Sequence, residues 1–279
     1  MLIQITLTSS AAKRIIAKGI KALDSVQKAC GQGKVILKGG TTVSAVAEEL
    51  CGRAMAVSGM ITPKGTLTSL NRTAGGLHRA MIMHGEEITP ISTEEDWQDA
   101  ARRMTPRDLV ITGANAFDTY GHAALIAGSY AGGRSLPSFQ AMLIDGIPFL
   151  IAVGLEKLVP GNLWDVIPMA GRKKVDLSYG MAVGLIPIFG RIFTEVDALQ
   201  TLAKVKVQVI GKGGIHGAEG STTLLVDGDE AEVIKIDEIY RGVRGLGLCG
   251  DSLNLTPCTR GCPSCKNHIH CLYKQGLRD

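Results

Sequence analysis

Aromatic side chains make up only 4% of the 279 residues, with two Trp, five Tyr and five Phe. That is too few for the stacking platforms that hold single-stranded nucleic acid. No run of 18 apolar residues occurs, which excludes a membrane-spanning helix on sequence grounds. The opening Met1-Leu-Ile-Gln-Ile-Thr-Leu lacks the basic region and long apolar stretch of a secretory signal, so a cytoplasmic location is expected. Charge of one sign is scarce as well. The formal +4 resides entirely in residues 241–279, where six Lys/Arg face two Asp, and residues 1–240 balance at 24 and 24. Beyond that local charge nothing favours a nucleic-acid partner, and metal-bound thiolates in the same stretch would offset it.

What is abundant points to a layered fold. The chain is 45% apolar and carries 35 Gly, a balance that suits Val/Ile/Leu strands joined by tight turns. Helical spacing at Ala12, Ile15, Ile16, Ile20, Leu23 and Val26, behind a cap at Ser9 or Ser10, predicts one helix to about Ala29. A short buried strand at 35–37 runs into a glycine loop, and a second helix carries Val43, Val46, Ala47 and Leu50 on one face. Further strands are expected at 54–58, 77–83, 109–112, 123–127 and 149–153, with helices near 93–104 and 138–144. Beyond Pro160-Gly161 the pattern predicts a short helix at 163–169 and an apolar stretch at 181–189. A helix at 194–202, strands at 205–210 and 221–226 and a helix at 231–241 follow. The expectation is an α/β fold with a doubly wound, mostly parallel sheet. Residues 10–160 form the main sheet, 161–244 complete it and add a small α+β subdomain, and 245–279 are a metal-bound C-terminal tail. The apolar stretch 181–189 leaves self-association into a homo-oligomer open.

The loop Lys38-Gly39-Gly40-Thr41-Thr42 joins a strand to a helix, which presents unpaired amides, two hydroxyls and the positive helix end at one point. Such a loop is an anion site, with Lys38 as an added charge; the plainer reading is a βα turn in which a threonine caps the helix. The run Asp108–Asp118 is a buried strand opening into small and then polar residues, which places Asn115 and Asp118 at its carboxyl end, where open α/β sheets bind ligands. The turn Gly128-Ser129-Tyr-Ala-Gly132-Gly133 can bring further backbone donors to the same crevice.

This order of motifs resembles the superfamily of ribose-5-phosphate isomerase, glucosamine-phosphate deaminase and the CoA transferases over roughly residues 10–160. The resemblance implies phosphate binding at Gly39, Gly40, Thr41 and Thr42. That superfamily often ends a strand in Gly-Ala-Asp; here Gly113-Ala114-Asn115 has an amide in place of the acid, and an amide is no general base. Asp118 or Glu156 is then the catalytic candidate, or the site is a non-catalytic sensor. The pair Glu156-Lys157 also reads as an exposed helix start, Asp118 as a turn residue and His122 as a loop hydrogen-bonding residue.

Five of the seven cysteines, Cys249, Cys258, Cys262, Cys265 and Cys271, fall within 23 residues. Clustering of this kind in a cytosolic chain signals metal rather than disulfides. Cys258, Cys262, Cys265 and Cys271 are separated by three, two and five residues, with turns at Pro257, Gly261 and Pro263 and cations at Arg260 and Lys266. The spacing favours a 4Fe-4S iron–sulfur cluster, with Cys271 or Cys249 completing the shell. Zinc, held by these thiolates or with His268 or His270, is the alternative, and redox-active free thiols come third.

Overall fold

The computed structural model describes residues 1–70, 77–250, 255–261 and 265–275. The chain opens with β1 (Leu2–Leu7), α1 (Ser9–Ala22), α2 (Asp24–Gln32), β2 (Lys34–Lys38) and α3 (Thr41–Cys51). A hairpin of β3 (Gly59–Thr62) and β4 (Gly65–Thr68) precedes β5 (Ala80–His84), β6 (Glu87–Pro90), α4 (Glu94–Arg103) and β7 (Leu109–Gly113). Next come β8 (Ala116–Phe117), β9 (Ala123–Ala127), α5 (Leu136–Ile144), β10 (Phe149–Ala152) and α6 (Leu163–Val166). The remainder is β11 (Gly184–Ile188), β12 (Arg191–Phe193), α7 (Glu195–Leu202), β13 (Val205–Lys212), β14 (Thr222–Gly228), α8 (Glu230–Val243) and, in the tail, α9 (Leu272–Gln275).

The main sheet has six strands in the order β12-β10-β7-β2-β5-β6. The first four are parallel, whereas β5 and β6 run antiparallel to their neighbours, so the sheet is mixed. Alternation along each strand divides the side chains between two layers. Val35, Leu37 and Ile111 face the core shared with α1, α3, α7 and α8, while Ile36 and Val110 face Trp97 and Ala100 of α4 and Phe139 and Met142 of α5. Gly19 lets α1 lie against α7, because a Cβ there would stand 2.6 Å from Ala198.

Several local expectations are corrected. The first helix is capped by Thr8, whose hydroxyl accepts the Ala11 N–H, and it breaks at Leu23, where extended backbone (φ −69°, ψ 128°) separates α1 from α2. Residues 53–58 form no strand, and the pairing there is made by the β3–β4 hairpin. Residues 123–127 are a strand, but of a separate antiparallel sheet, β11-β9-β8, rather than of the main one. The opening residues also pair: β1 runs antiparallel along β14, giving a β1-β14-β13 sheet whose Leu7, Leu224 and Val226 join the main core.

For the functional site, what matters is where the parallel strands exit. From β2 the chain passes to α3 on one face of the sheet, and from β7 it passes through β8 and β9 to α5 on the other. The adjacent strands β2 and β7 thus bound a topological switch point at their carboxyl ends, where open α/β sheets leave a crevice.

Candidate functional site

The glycine loop lies at that switch point. At Gly39 a Cβ would meet the carbonyl oxygens of Arg79 at 2.6 Å and Ala56 at 2.7 Å, so the loop is wedged between two backbones that only glycine fits. Gly40 is the N-cap of α3 and provides no side-chain cap. The first intrahelical bond runs from the Ser44 N–H to the Gly40 carbonyl, which leaves the amides of Thr41, Thr42 and Val43 ahead of the ladder. Thr42 is 2% exposed, and its hydroxyl has no hydrogen-bond partner. Lys38 leaves toward the opposite face, with its ammonium 5.8 Å from the centroid of the Phe139 ring, and burial lowers it to about 8.

Beyond β7, Asn115 and Asp118 hold the chain together. The Asn115 side-chain oxygen accepts the Ile126 N–H at 3.0 Å, and the Asn115 backbone N–H donates to the Ala124 carbonyl at 2.9 Å, which fixes β9 beside β8. Asp118 accepts the N–H groups of Tyr120, His122 and Leu163 and pairs with the His122 ring at 2.8 Å. Burial alone would raise its carboxyl, but these bonds outweigh burial and hold it at about 2. A carboxylate so engaged is an anchor for the 118–122 turn and for the start of α6. The Gly128–Gly133 turn is close-packed: a Cβ at Gly128 would lie 2.4 Å from the Met181 sulfur, and the amides of Gly132 and Gly133 donate to Ser129 and Tyr130 within the turn. The left-handed backbone at Gly132 (φ 69°) and Gly133 (φ 91°) turns the chain into α5.

A denser set of charges gathers above β10 and β12. Glu156 and Lys157 follow β10 on a single 3-10 turn, and Glu156 is not an exposed helix start. Its carboxylate folds back over Gly154, where a Cβ would lie 1.9 Å from Oε2. Neither carboxylate oxygen has a hydrogen-bond partner, and the charge is offset by Lys13 of α1, whose ammonium lies 3.3 Å from Oε1 with side chains 9% and 13% exposed. Lys157 donates at 2.9 Å to the carbonyl of Ala114, the residue after β7, and burial lowers it to about 8. Glu195, the first residue of α7, is 1% exposed and accepts the Leu155 N–H at 2.9 Å and the Thr222 hydroxyl at 3.4 Å. Burial, with Glu156 nearby, pushes it up to about 7 against those bonds. Lys212 of β13 donates to the Leu155 carbonyl.

The structure therefore brings Gly39–Thr42, Ala114 and Glu156 to one end of three adjacent strands, and adds Lys13, Lys157, Glu195 and Lys212, to which sequence reasoning assigned no role. A signal for Lys13 was present: it lies three residues before Ile16 and seven before Ile20, inside the apolar stripe of α1, where a charge needs a buried partner. Glu195 gave none, since an acid just after a capping threonine reads as ordinary helix-start chemistry.

The tail packs against the β3–β4 hairpin through the Cys258 N–H to the Thr68 carbonyl (2.8 Å) and the Leu70 N–H to the Thr256 carbonyl (2.9 Å). It also bridges to residue 178 at Cys271. Cys258, Cys265, Cys271 and His268 line one small cavity, of about 20 Å³, with Met181 and Arg260. Cys262 lies outside the described residues. Among the described residues no three Cys, His, Asp or Glu side chains converge closely enough to enclose an ion. Cys249 is placed apart from this cavity, in the main core, where burial and Glu48 push its thiol up to about 11. No helix among the described residues is long and apolar enough to cross a membrane. No family model and no curated protein matches the chain.

Proposed function

We propose that the protein binds a phosphorylated or otherwise anionic small molecule, of the sugar-phosphate, nucleotide or CoA type, in the switch-point crevice and converts it by proton transfer through Glu156. The observation that carries this reading is the Glu156 carboxylate: buried, folded over Gly154, without a hydrogen-bond donor, and held against the charges of Lys13 and Lys157. Two strand spacings away, roughly 10 Å, the uncapped amides of α3 and the Thr42 hydroxyl offer the matching anion seat. A base at that distance from a phosphate seat reaches the carbon chain of a bound ligand, as an isomerase or transferase requires. Asn115 and Asp118 serve this reading as scaffold, because their acceptors are engaged by the β8–β9 turn. Calorimetric titration with inorganic phosphate tests the seat. Saturable binding that weakens in Thr42→Val supports it, and no binding by the intact protein overturns it.

A second reading concerns the tail, and the shared cavity of Cys258, Cys265, Cys271 and His268 favours it. These are soft donors with the chemistry for a 4Fe-4S cluster or zinc, and Arg260 and Lys274 at the same cavity would offset thiolate charge. Anaerobic purification with iron, sulfide and zinc analysis decides it. Stoichiometric iron and sulfide with broad visible absorption make it a cluster, and one zinc in a colourless protein makes it a structural clip. Absence of all three overturns the reading.

A further inference from the structure

The main sheet reaches two strands past β2, through β5 to the edge strand β6. Met81 and Met83 of β5 face the core shared with α3, and their partners on β6, Pro90 and Ile88, share that face. Helix α3 stops short of this edge: it ends at Cys51, and its left-handed C-cap Gly52 (φ 68°) turns the chain into Arg53. A cavity of about 210 Å³ remains there, lined by Leu77, Met81, Ile88 and Pro90 together with Arg53 and His78. That is the room of about seven waters, enough for a small organic molecule.

The lining has one chemical bias. Arg53 and His78 bring nitrogen to an otherwise apolar cavity, and among the described residues no carboxylate lines it. Neither the guanidinium nor the imidazole has a hydrogen-bond or ion-pair partner among the described residues. The Arg53 charge acts on the Cys51 thiol, but burial raises that thiol, so it stays neutral and is no counter-ion. The backbone behind the ring is fixed, since the His78 carbonyl accepts the Ala56 N–H at 2.9 Å. A guanidinium presents a planar fork of donors that fits both oxygens of a carboxylate, and an imidazole adds one donor in either tautomer. Free phosphate makes no use of the four apolar side chains; an organic acid sets its charge on the nitrogens and its carbon body on the rest.

We propose that this cavity is a second binding site, for a small monocarboxylate with an apolar body, its carboxylate held by Arg53 and His78 and its carbon skeleton seated on Leu77, Met81, Ile88 and Pro90. The site adjoins the phosphate loop without opening on it. His78 precedes Arg79, whose carbonyl accepts the Gly39 N–H at 2.6 Å, yet no residue of Gly39–Thr42 lines the cavity. It stands or falls independently of how the switch-point crevice is used.

The probes are benzoate and benzamide, which share a ring and a shape and differ in charge, with acetate as a carboxylate that lacks the apolar body. Each is titrated into the intact protein at pH 7 and followed by ligand-observed NMR. Benzoate is expected to bind with a Kd on the order of 0.1–1 mM, the range open to a ligand of about ten non-hydrogen atoms. Benzamide and acetate should each bind roughly tenfold or more weakly, the first for want of charge and the second for want of buried carbon. Arg53 is exposed and has no ion pair to lose, so Arg53→Met should keep its fold and bring benzoate down to the level of benzamide. His78→Leu should weaken benzoate severalfold, and Thr42→Val, in the other crevice, should change neither aromatic probe by more than about twofold. Equal binding of benzoate and benzamide, or a preference for benzoate that survives Arg53→Met, overturns the site. Loss of that preference in Thr42→Val would put the carboxylate in the switch-point crevice and overturn it as well, and acetate matching benzoate would overturn the apolar seat.

Discussion

Replacing Thr42 by Val separates what the crevice contributes to binding from what it costs in stability. The two side chains are nearly isosteric and have similar helix propensities, so at a site 2% exposed the substitution changes little but the hydroxyl. That hydroxyl is buried without a partner, and removing a group in this state relieves about 1–3 kcal/mol of desolvation penalty. For a chain of this size each kcal/mol moves Tm by about 2 °C, so the ligand-free variant should melt roughly 2–6 °C higher than the parent. Phosphate should bind roughly tenfold or more weakly, because one bond to a charged oxygen is lost. Differential scanning calorimetry with and without phosphate reads both effects. The two melting curves should cross, with the variant ahead in plain buffer and the parent regaining ground as phosphate is added. A variant that melts lower than the parent yet binds phosphate equally well would show that the hydroxyl serves the fold, and the anion seat would lose its main support.

Other consequences can be checked in parallel. Glu156→Gln should abolish conversion and, by stranding the Lys13 ammonium, cost on the order of 3 kcal/mol in urea unfolding. Gly154→Ala has an ordinary backbone for alanine (φ −82°), so its methyl acts only by displacing Glu156 Oε2; it should reduce conversion by roughly 10²-fold or more with a smaller stability loss. Glu195 is held at about 7, above its unfolded value of 4.5, so between those limits the folded state keeps a proton that the unfolded state has released. Stability should therefore fall as pH rises from 4.5 to 7, by about 3 kcal/mol from this group. Glu195→Gln should flatten that slope in denaturant titrations; an unchanged slope would mean that other groups set it. Cys258→Ser and Cys265→Ser should each lower bound iron or zinc about tenfold without moving phosphate affinity, read by elemental analysis and calorimetry on the same preparations.

The sequence by itself determined the alternation of helices and strands, the position of the glycine loop, and the clustering of cysteines at one end of the chain. Each of these is a local property: apolar spacing, glycine before a helix, thiols a few residues apart. It misread Ala54–Ser58 as a strand because a short apolar run has no register until a partner offers one, and it gave no partner to Met1–Leu7, whose mate, β14, lies more than two hundred residues on. The roles of Asn115 and Asp118 were equally undecidable, since the same polar residues at a strand end serve a ligand or a turn, according to which amides come within reach. Only the tertiary structure brought Lys13, Glu156, Lys157 and Glu195 together. Their partners are set by the order of strands across the sheet and by the seating of α1 and α7 above it, and desolvation, which gives these charges their chemistry, acts only once those layers close.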